Sequence, residues 1–291
     1  MSSLWQKLPA AVRGALWMLL SGTCYVGSAS LMRTLGDSYT SFEITFIRSV
    51  VAVLMLGPMF LRSLRGNLIP DRPFAYLMTG LFSYIGILAW VYAAGRMPVA
   101  DFFALQFVTP LFTISMAILF LRERADAASW IATLVGFAGV LIILRPGLIE
   151  VTAAALVALI SSFGYATVNT IVKSLSRTAS ATTIVFWANF LLVPISLPLA
   201  LIDWRWPTLE HWPAIIGVSI LSTIGYVTVT KAIMLAPARV VQPVNFMRMP
   251  IAAVFGLVLF SEFPDIWTWL GATVIFGATW YAVQRGTRRP E

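Results

Sequence analysis

Apolar residues run through this chain in long blocks, separated by short stretches that carry charges and turn formers. A helix needs ~20 apolar residues to cross the hydrocarbon core of a bilayer. Ten blocks approach that length and predict ten spans: Ala11–Met32, Ser41–Leu61, Pro73–Ala94, Asp101–Leu121, Ala128–Leu144, Val151–Val172, Ala181–Ile202, Trp212–Leu235, Val240–Phe260 and Ile266–Val283. The connections hold Gly66–Asn67 with Pro70, Pro98, Pro146–Gly147, Pro207 and Pro237, all of which interrupt helices. Lys7 and Arg13 precede the first apolar run, and Ser28–Ala29–Ser30 imitates a signal-peptidase site. That segment has a partner in the second half of the chain, so it is expected to stay as a span.

The polar positions inside the spans fall on faces. Ser21, Tyr25 and Ser28 share one face of span one, and Ser161, Tyr165 and Asn169 share one face of span six. Span eight carries Ser219, Ser222, Tyr226 and Thr230 at helical spacing. Span three has Ser83 and Trp90 on one stripe with Tyr84 adjacent. Span four carries Gln106, Thr109 and Thr113, and span nine carries Gln242, Asn245 and Arg248. Prolines lie close to both amide groups: Pro110 in span four, Pro243 and Pro250 in span nine. Proline frees a backbone carbonyl, which is tolerated at membrane depth where the helix faces protein or water.

These faces repeat. Sliding the sequence against itself by 140 residues pairs Ser21 with Ser161, Tyr25 with Tyr165 and Pro58 with Pro198. A shift of 139 pairs Ser83 with Ser222, Gly86 with Gly225, Pro98 with Pro237, Glu123 with Glu262 and Trp130 with Trp269. It also sets Gln106 opposite Asn245. The chain thus reads as an all-α membrane protein of two five-helix repeats, residues 1–148 and 149–291, forming one integral domain. Five is odd, so the second copy inserts upside down. Inverted repeats with a site near the midplane are the architecture of alternating-access carriers.

Composition narrows the picture further. Of 291 residues, 59% are hydrophobic and 11% charged, against ~25% charged in soluble domains. Mean hydropathy is +0.86. The net charge of +8 would suggest nucleic acid in a soluble protein, but Lys and Arg collect in cytoplasmic loops of membrane proteins. Counted by side, 14 fall with the termini and 4 (Arg33, Arg96, Arg145, Arg205) fall opposite. This asymmetry places both termini in the cytoplasm and requires an even number of spans. The expected surroundings are a lipid bilayer and a small-molecule substrate, with no nucleic acid; no sequence feature marks an oligomeric contact.

Enzyme chemistry finds little support. Cys24 and His211 are the single cysteine and histidine, so disulfides and His/Cys metal clusters are excluded. Nucleotide-binding glycine loops and the H-E-x-x-H motif are absent. No catalytic residue, metal or cofactor is expected, and His211 is read as an interfacial residue of an outer loop. A channel would need a ring of like charge, which is missing.

Spans one, three, four, six, eight and nine are therefore expected to enclose a polar and aromatic cavity. Its candidate residues are Ser21, Tyr25, Ser83, Tyr84, Trp90, Gln106, Ser161, Tyr165, Asn169, Ser222, Tyr226, Gln242, Asn245 and Arg248. The alternative for each single Ser or Thr is helix-to-helix glue. Arg248 either grips a substrate carboxylate or pairs within the protein. Glu43 and Arg48 in span two are five residues apart, which does not stack them on one helix face, and are read as a structural ion pair or as solvated ends. Ala132 and Gly136 in span five form a small-xxx-small pair suited to close packing. The six polar faces carry no Asp or Glu, which argues for facilitated movement rather than proton coupling.

The stretch from Pro110 to Glu123, PLFTISMAILFLRE, and its copy from Pro250 to Glu262, PIAAVFGLVLFSE, each end in a Glu followed seven residues on by a Trp. With the ten spans and the repeat, this pattern resembles the EamA family of the drug/metabolite transporter superfamily, over nearly the whole chain. The resemblance implies an exporter or permease for small metabolites, commonly amino acids, in a bacterial cytoplasmic membrane. The likeness is greatest to the aromatic amino-acid exporter branch. Tyr25, Tyr84, Trp90, Tyr165 and Tyr226 would then stack on a ring while Arg248 or an amide holds the carboxylate. The alternatives are a carrier of another metabolite or drug-like compound, and a membrane scaffold that transports nothing.

Overall fold

A computed structural model describes residues 8–36, 38–63, 72–109, 111–112, 116, 127–145, 152–176, 178–235, 244–245 and 247–286. Among them are ten α-helices: α1 Ala10–Leu35, α2 Ser41–Ser63, α3 Pro73–Ala94, α4 Val99–Gln106, α5 Ala127–Leu144, α6 Ala153–Leu175, α7 Ala181–Ala200, α8 Trp212–Leu235, α9 Arg248–Phe260 and α10 Ile266–Gly286. No strand occurs among the described residues. Six helices, α1, α2, α3, α6, α7 and α8, are long and apolar enough to cross a membrane. The described parts of α5, α9 and α10 form shorter apolar helices. The expected spans four and nine are described as helix over less than their full length, and residues 117–126 and 236–243 lie outside the described set.

Local chemistry sets the helix ends. Thr152 and Ser180 accept the backbone N–H groups of Ala155 and Thr183 and start α6 and α7. Thr40 and Glu43 cap α2 reciprocally: the Thr40 N–H donates to Glu43 Oε2 at 2.9 Å, and the Glu43 N–H donates to Thr40 Oγ1 at 3.2 Å. Glu43 also accepts the Arg205 N–H. The residue is 1% exposed, so it is a buried helix cap rather than a solvated end. Ser261 ends α9 in the left-handed region at φ 56°. The bonds from Ser261 N to Leu257 O and from Glu262 N to Gly256 O close the turn there.

The helices pair in a pattern that maps onto itself when each number rises or falls by five. α1 packs along α8 and α3 along α6; α2 packs along α7 and α5 along α10; α9 touches α1 as α4 touches α6. Helix directions are readable from single contacts. Ser21 Oγ donates to Gly225 O at 2.9 Å and Ser28 Oγ to Val218 O at 3.2 Å, so α1 and α8 run antiparallel. In α5 and α10, a Cβ built on Gly139 would lie 2.7 Å from Ile275, and one on Gly271 would lie 2.4 Å from Ile143. Those crossed contacts also require antiparallel helices.

Glycine permits the closest approaches. A Cβ on Gly164 would stand 2.8 Å from Gly86 Cα, and one on Gly271 would stand 2.6 Å from Gly139 O. Without a hydrophobic driving force in lipid, such small-residue seams let backbones touch and gain dispersion. Of the small pair expected at Ala132 and Gly136, Gly136 is closely packed, with no room for a Cβ beside Leu111. Gly139 meets Gly271; the side chain of Ala132 is outside the described set. Large apolar side chains such as Leu54, Leu134 and Val258 are exposed on the outside of the bundle, and Ser, Thr and Arg are buried within it. That inversion suits a lipid surrounding.

Candidate functional site

Two helix interruptions define the site, and they fall at matching places in the repeat. α4 ends at Gln106, followed by a turn at Phe107 and Val108. Thr109 Oγ1 donates to the Gln106 carbonyl at 2.7 Å, satisfying a group that the turn frees. A shift of 139 residues sets these positions opposite Asn245 and Arg248, where α9 begins with Met247 as its N-cap. Non-helical backbone in a membrane protein is tolerated where it borders protein or a cavity. Here it borders a cavity.

About 750 Å³ of space between atoms lies in that cavity and its open mouth together. Its walls are Met18, Tyr25, Trp90, Phe103, Gln106, Phe107, Thr109, Tyr165, Asn169, Val229, Ile233, Asn245 and Arg248. It runs from the middle of the bundle toward the end where α1 starts, since Met18 lies early in α1 and Ile233 late in α8. None of these wall residues is acidic.

Arg248 is held by apolar and aromatic contacts as much as by hydrogen bonds. Its guanidinium lies 4.9 Å from the Tyr25 ring centroid, a cation–π distance. Its Nη2 donates to Ser21 Oγ at 3.4 Å. Its aliphatic stem rests on Gly22, where a Cβ would lie 3.0 Å from Arg248 Cγ. Arg248 Nε is buried without a hydrogen-bond partner, and so is Asn245 Oδ1. Gln106 differs from its mate: Nε2 donates to Ser161 Oγ at 3.2 Å, and Oε1 accepts from Ser162 at 2.9 Å. Tyr25 and Trp90 meet at 6.4 Å between centroids, tilted by 55°.

Of the fourteen expected residues, the cavity gathers Tyr25, Trp90, Gln106, Tyr165, Asn169, Asn245 and Arg248. Ser21 and Ser161 stand behind it, holding Arg248 and Gln106. Ser222 bonds to the Val218 carbonyl of its own helix, so its hydroxyl does not form part of the wall. Ser83, Tyr84 and Tyr226 are buried away from the wall, each with a side-chain oxygen lacking a partner. Gln242 lies outside the described residues. The aromatic walls Phe103 and Phe107 escaped the polar-face reading because a phenylalanine in an apolar span carries no polar signal. His211 is remote from the cavity, beside Tyr39 OH at 2.9 Å.

At the far end of the bundle the helices are tied together. Arg33 forms a two-pronged ion pair with Glu262, donates to Met97 O at 3.0 Å and covers the Phe260 ring. Arg145 pairs with Asp265 at 2.8 Å, and Thr268 donates to Asp101 at 2.7 Å. These contacts join α1, α5, α9 and α10 and the loop before α4 on the side away from Met18 and Ile233.

Comparison with known proteins agrees with this architecture. The sequence matches the EamA-like transporter family twice, over residues 12–145 and 152–284. It is 30% identical to the riboflavin transporter of Vibrio cholerae, over 96% of this chain and 95% of that protein. It is 27% identical to the S-adenosylmethionine uptake transporter of Rickettsia bellii, over 93% of each chain. It is 26% identical to the pseudopaline exporter of Pseudomonas aeruginosa, over 90% of this chain and 93% of that one. A solved crystal structure aligns with a TM-score of 0.64 at 17% identity, covering 96% of this chain and 98% of that one, which shows a shared fold. The chain is a multi-pass membrane protein of the EamA-like transporter family, whose relatives carry small metabolites in bacteria.

Proposed function

We propose that this protein carries a small metabolite with a planar ring and an anionic or strongly accepting group, by alternating access through the cavity between two inverted five-helix halves. The observation that carries the reading is the wall itself. Tyr25, Trp90, Phe103, Phe107 and Tyr165 offer faces for a ring. Arg248 Nε and Asn245 Oδ1 have no protein partner; the first donates to the cargo's accepting group, and the second accepts from an N–H or O–H of the cargo.

The relatives widen the cargo beyond the aromatic amino acids that the sequence suggested. Two of the named cargoes, riboflavin and S-adenosylmethionine, contain planar heteroaromatic rings larger than a phenyl group. A heteroaromatic metabolite is the first choice, and an aromatic amino acid, held by its carboxylate, is the second. The inverted repeat is supported by the antiparallel course of α5 and α10, fifth in each half. The charge asymmetry of the loops turns the open side toward the cytoplasm, so the tie at Arg33 and Glu262 closes the outer side. The reading is tested in proteoliposomes preloaded with unlabelled cargo. Saturable counterflow of labelled riboflavin, S-adenosylmethionine, tryptophan or phenylalanine supports it. Absence of counterflow for all four, with a dicarboxylate control equally silent, from correctly inserted protein contradicts the ring-bearing cargo.

A further inference from the structure

Behind the Tyr165 wall lies a second group of polar atoms without partners. Arg48 on α2 is 4% exposed, and its Nη1 has no hydrogen-bond partner. The Tyr165 hydroxyl lies beside the Arg48 guanidinium and lacks a well-formed hydrogen bond. The Tyr226 hydroxyl lies beside Ser83, and both of those oxygens are buried without a well-formed bond. Among the described residues, the charged and ionisable side chains near Tyr25, Tyr165 and Tyr226 are Arg48, Arg248 and one another, with no carboxylate.

Guanidinium has only donors, and a hydroxyl can donate as well as accept. What the cluster lacks is a strong acceptor. A buried guanidinium is stable in a bilayer when paired, and marks a substrate path by default. Its repeat mate, at a shift of 140, is Ala188, so the repeat does not require an arginine there. Tyr165 lines the cavity and its hydroxyl lies beside Arg48, so its ring stands between the cavity and the Arg48 guanidinium.

We propose that Arg48, with the Tyr165 and Tyr226 hydroxyls and Ser83, forms an inner anion subsite for a carboxylate or phosphate of the transported molecule. The cargo is then held at two points, its ring against Tyr25 and Trp90 and its anion at Arg48. This deepens the function proposed above and rests on it for the ring. Arg48 sets selectivity by charge, while Arg248 and Asn245 bond the polar part nearer the mouth.

The test uses the full-length protein in a detergent without phosphate groups, and its melting temperature at fixed pH and ionic strength. The probes are inorganic phosphate, riboflavin and riboflavin 5′-phosphate. Phosphate replacing chloride raises the melting temperature of wild type and of Arg248→Gln, and leaves Arg48→Gln unchanged. Riboflavin 5′-phosphate binds about tenfold tighter than riboflavin, as one charge-assisted bond allows, and Arg48→Gln removes that ratio. Should Arg48→Gln fail to fold, Tyr165→Phe keeps the ring and reduces the same ratio. No phosphate shift in wild type, or an unchanged shift in Arg48→Gln, overturns the subsite. A phosphate shift with no advantage for the phosphorylated flavin makes it a site for a free inorganic anion and overturns the two-point cargo. A phosphate shift with no response to either flavin counts against the ring-bearing cargo and leaves the anion subsite standing.

Discussion

Gln106 and Asn245 occupy matching positions in the two halves of the sequence, yet their side-chain oxygens differ in one respect. Gln106 Oε1 accepts from Ser162 at 2.9 Å, while Asn245 Oδ1 is buried without a partner. A buried polar atom left unpaired is destabilising by ~1–3 kcal/mol unless something else bonds it. The first amide therefore serves the fold, and the second keeps an oxygen able to accept a further hydrogen bond.

Substitution separates these roles. Gln106→Ala leaves Ser161 and Ser162 without that partner and lowers stability by ~1–3 kcal/mol. Asn245→Ala keeps the wild-type melting temperature in detergent and lowers counterflow by up to roughly tenfold, the value of one hydrogen bond accepted from the cargo. Equal melting losses for the two variants would show that both amides are structural.

The glycine seams predict a graded series. Gly164→Ala drives a Cβ to 2.8 Å from Gly86 Cα, and Gly271→Ala to 2.6 Å from Gly139 O. Backbone cannot yield as a side chain can, so each variant loses ~1–3 kcal/mol. Gly277→Ala meets nothing within 4 Å and gains up to ~1 kcal/mol from helix propensity. Melting curves of the three in one detergent check the order. A neutral Gly164→Ala would remove the close approach of α3 and α6.

The Arg33–Glu262 pair predicts a recoverable defect. Arg33→Glu sets two carboxylates side by side at the tied end of the bundle, and transport falls. The double exchange Arg33→Glu with Glu262→Arg restores the attraction and regains much of the rate. Failure of the double variant to exceed the worse single one would show that the pair does not govern closure.

Among the described residues, the cavity wall carries no carboxylate. Intramembrane proton relays run through Asp, Glu or His. A pH step across proteoliposomes is therefore expected to leave cargo at its equilibrium level. Accumulation driven by the pH step alone would contradict a purely facilitated carrier.

Much of this was legible in the sequence because a bilayer imposes simple rules. Length and hydropathy place the long helices, and the described starts and ends of α2, α3 and α8 fall within two residues of the expected spans. Span nine was less legible. A continuous apolar run conceals where the helix breaks, and Arg248 proved to open α9 rather than to sit inside it. Tyr25, Tyr165 and Asn245 stand out as polar residues in a span, and all three line the cavity. Ser222 stands out equally, but its hydroxyl bonds to its own helix, a choice that helical spacing cannot reveal. Spacing left the partners of Glu43 and Arg48 open, and the fold gives Glu43 to the α2 cap and sets Arg48 beside Tyr165.

The central claim is that one cavity opens to each side of the membrane in turn. Thr109 lines it near the middle of the bundle, so Thr109→Cys in a Cys24→Ser background reports its access. Vesicles of known orientation are treated with a membrane-impermeant maleimide from each side. The account predicts labelling from the cytoplasmic side in the resting protein, and labelling from the outer side once Arg33→Ala loosens the tied end. Labelling from both sides at once in the resting protein, or from neither side in either background, would contradict alternating access through this cavity.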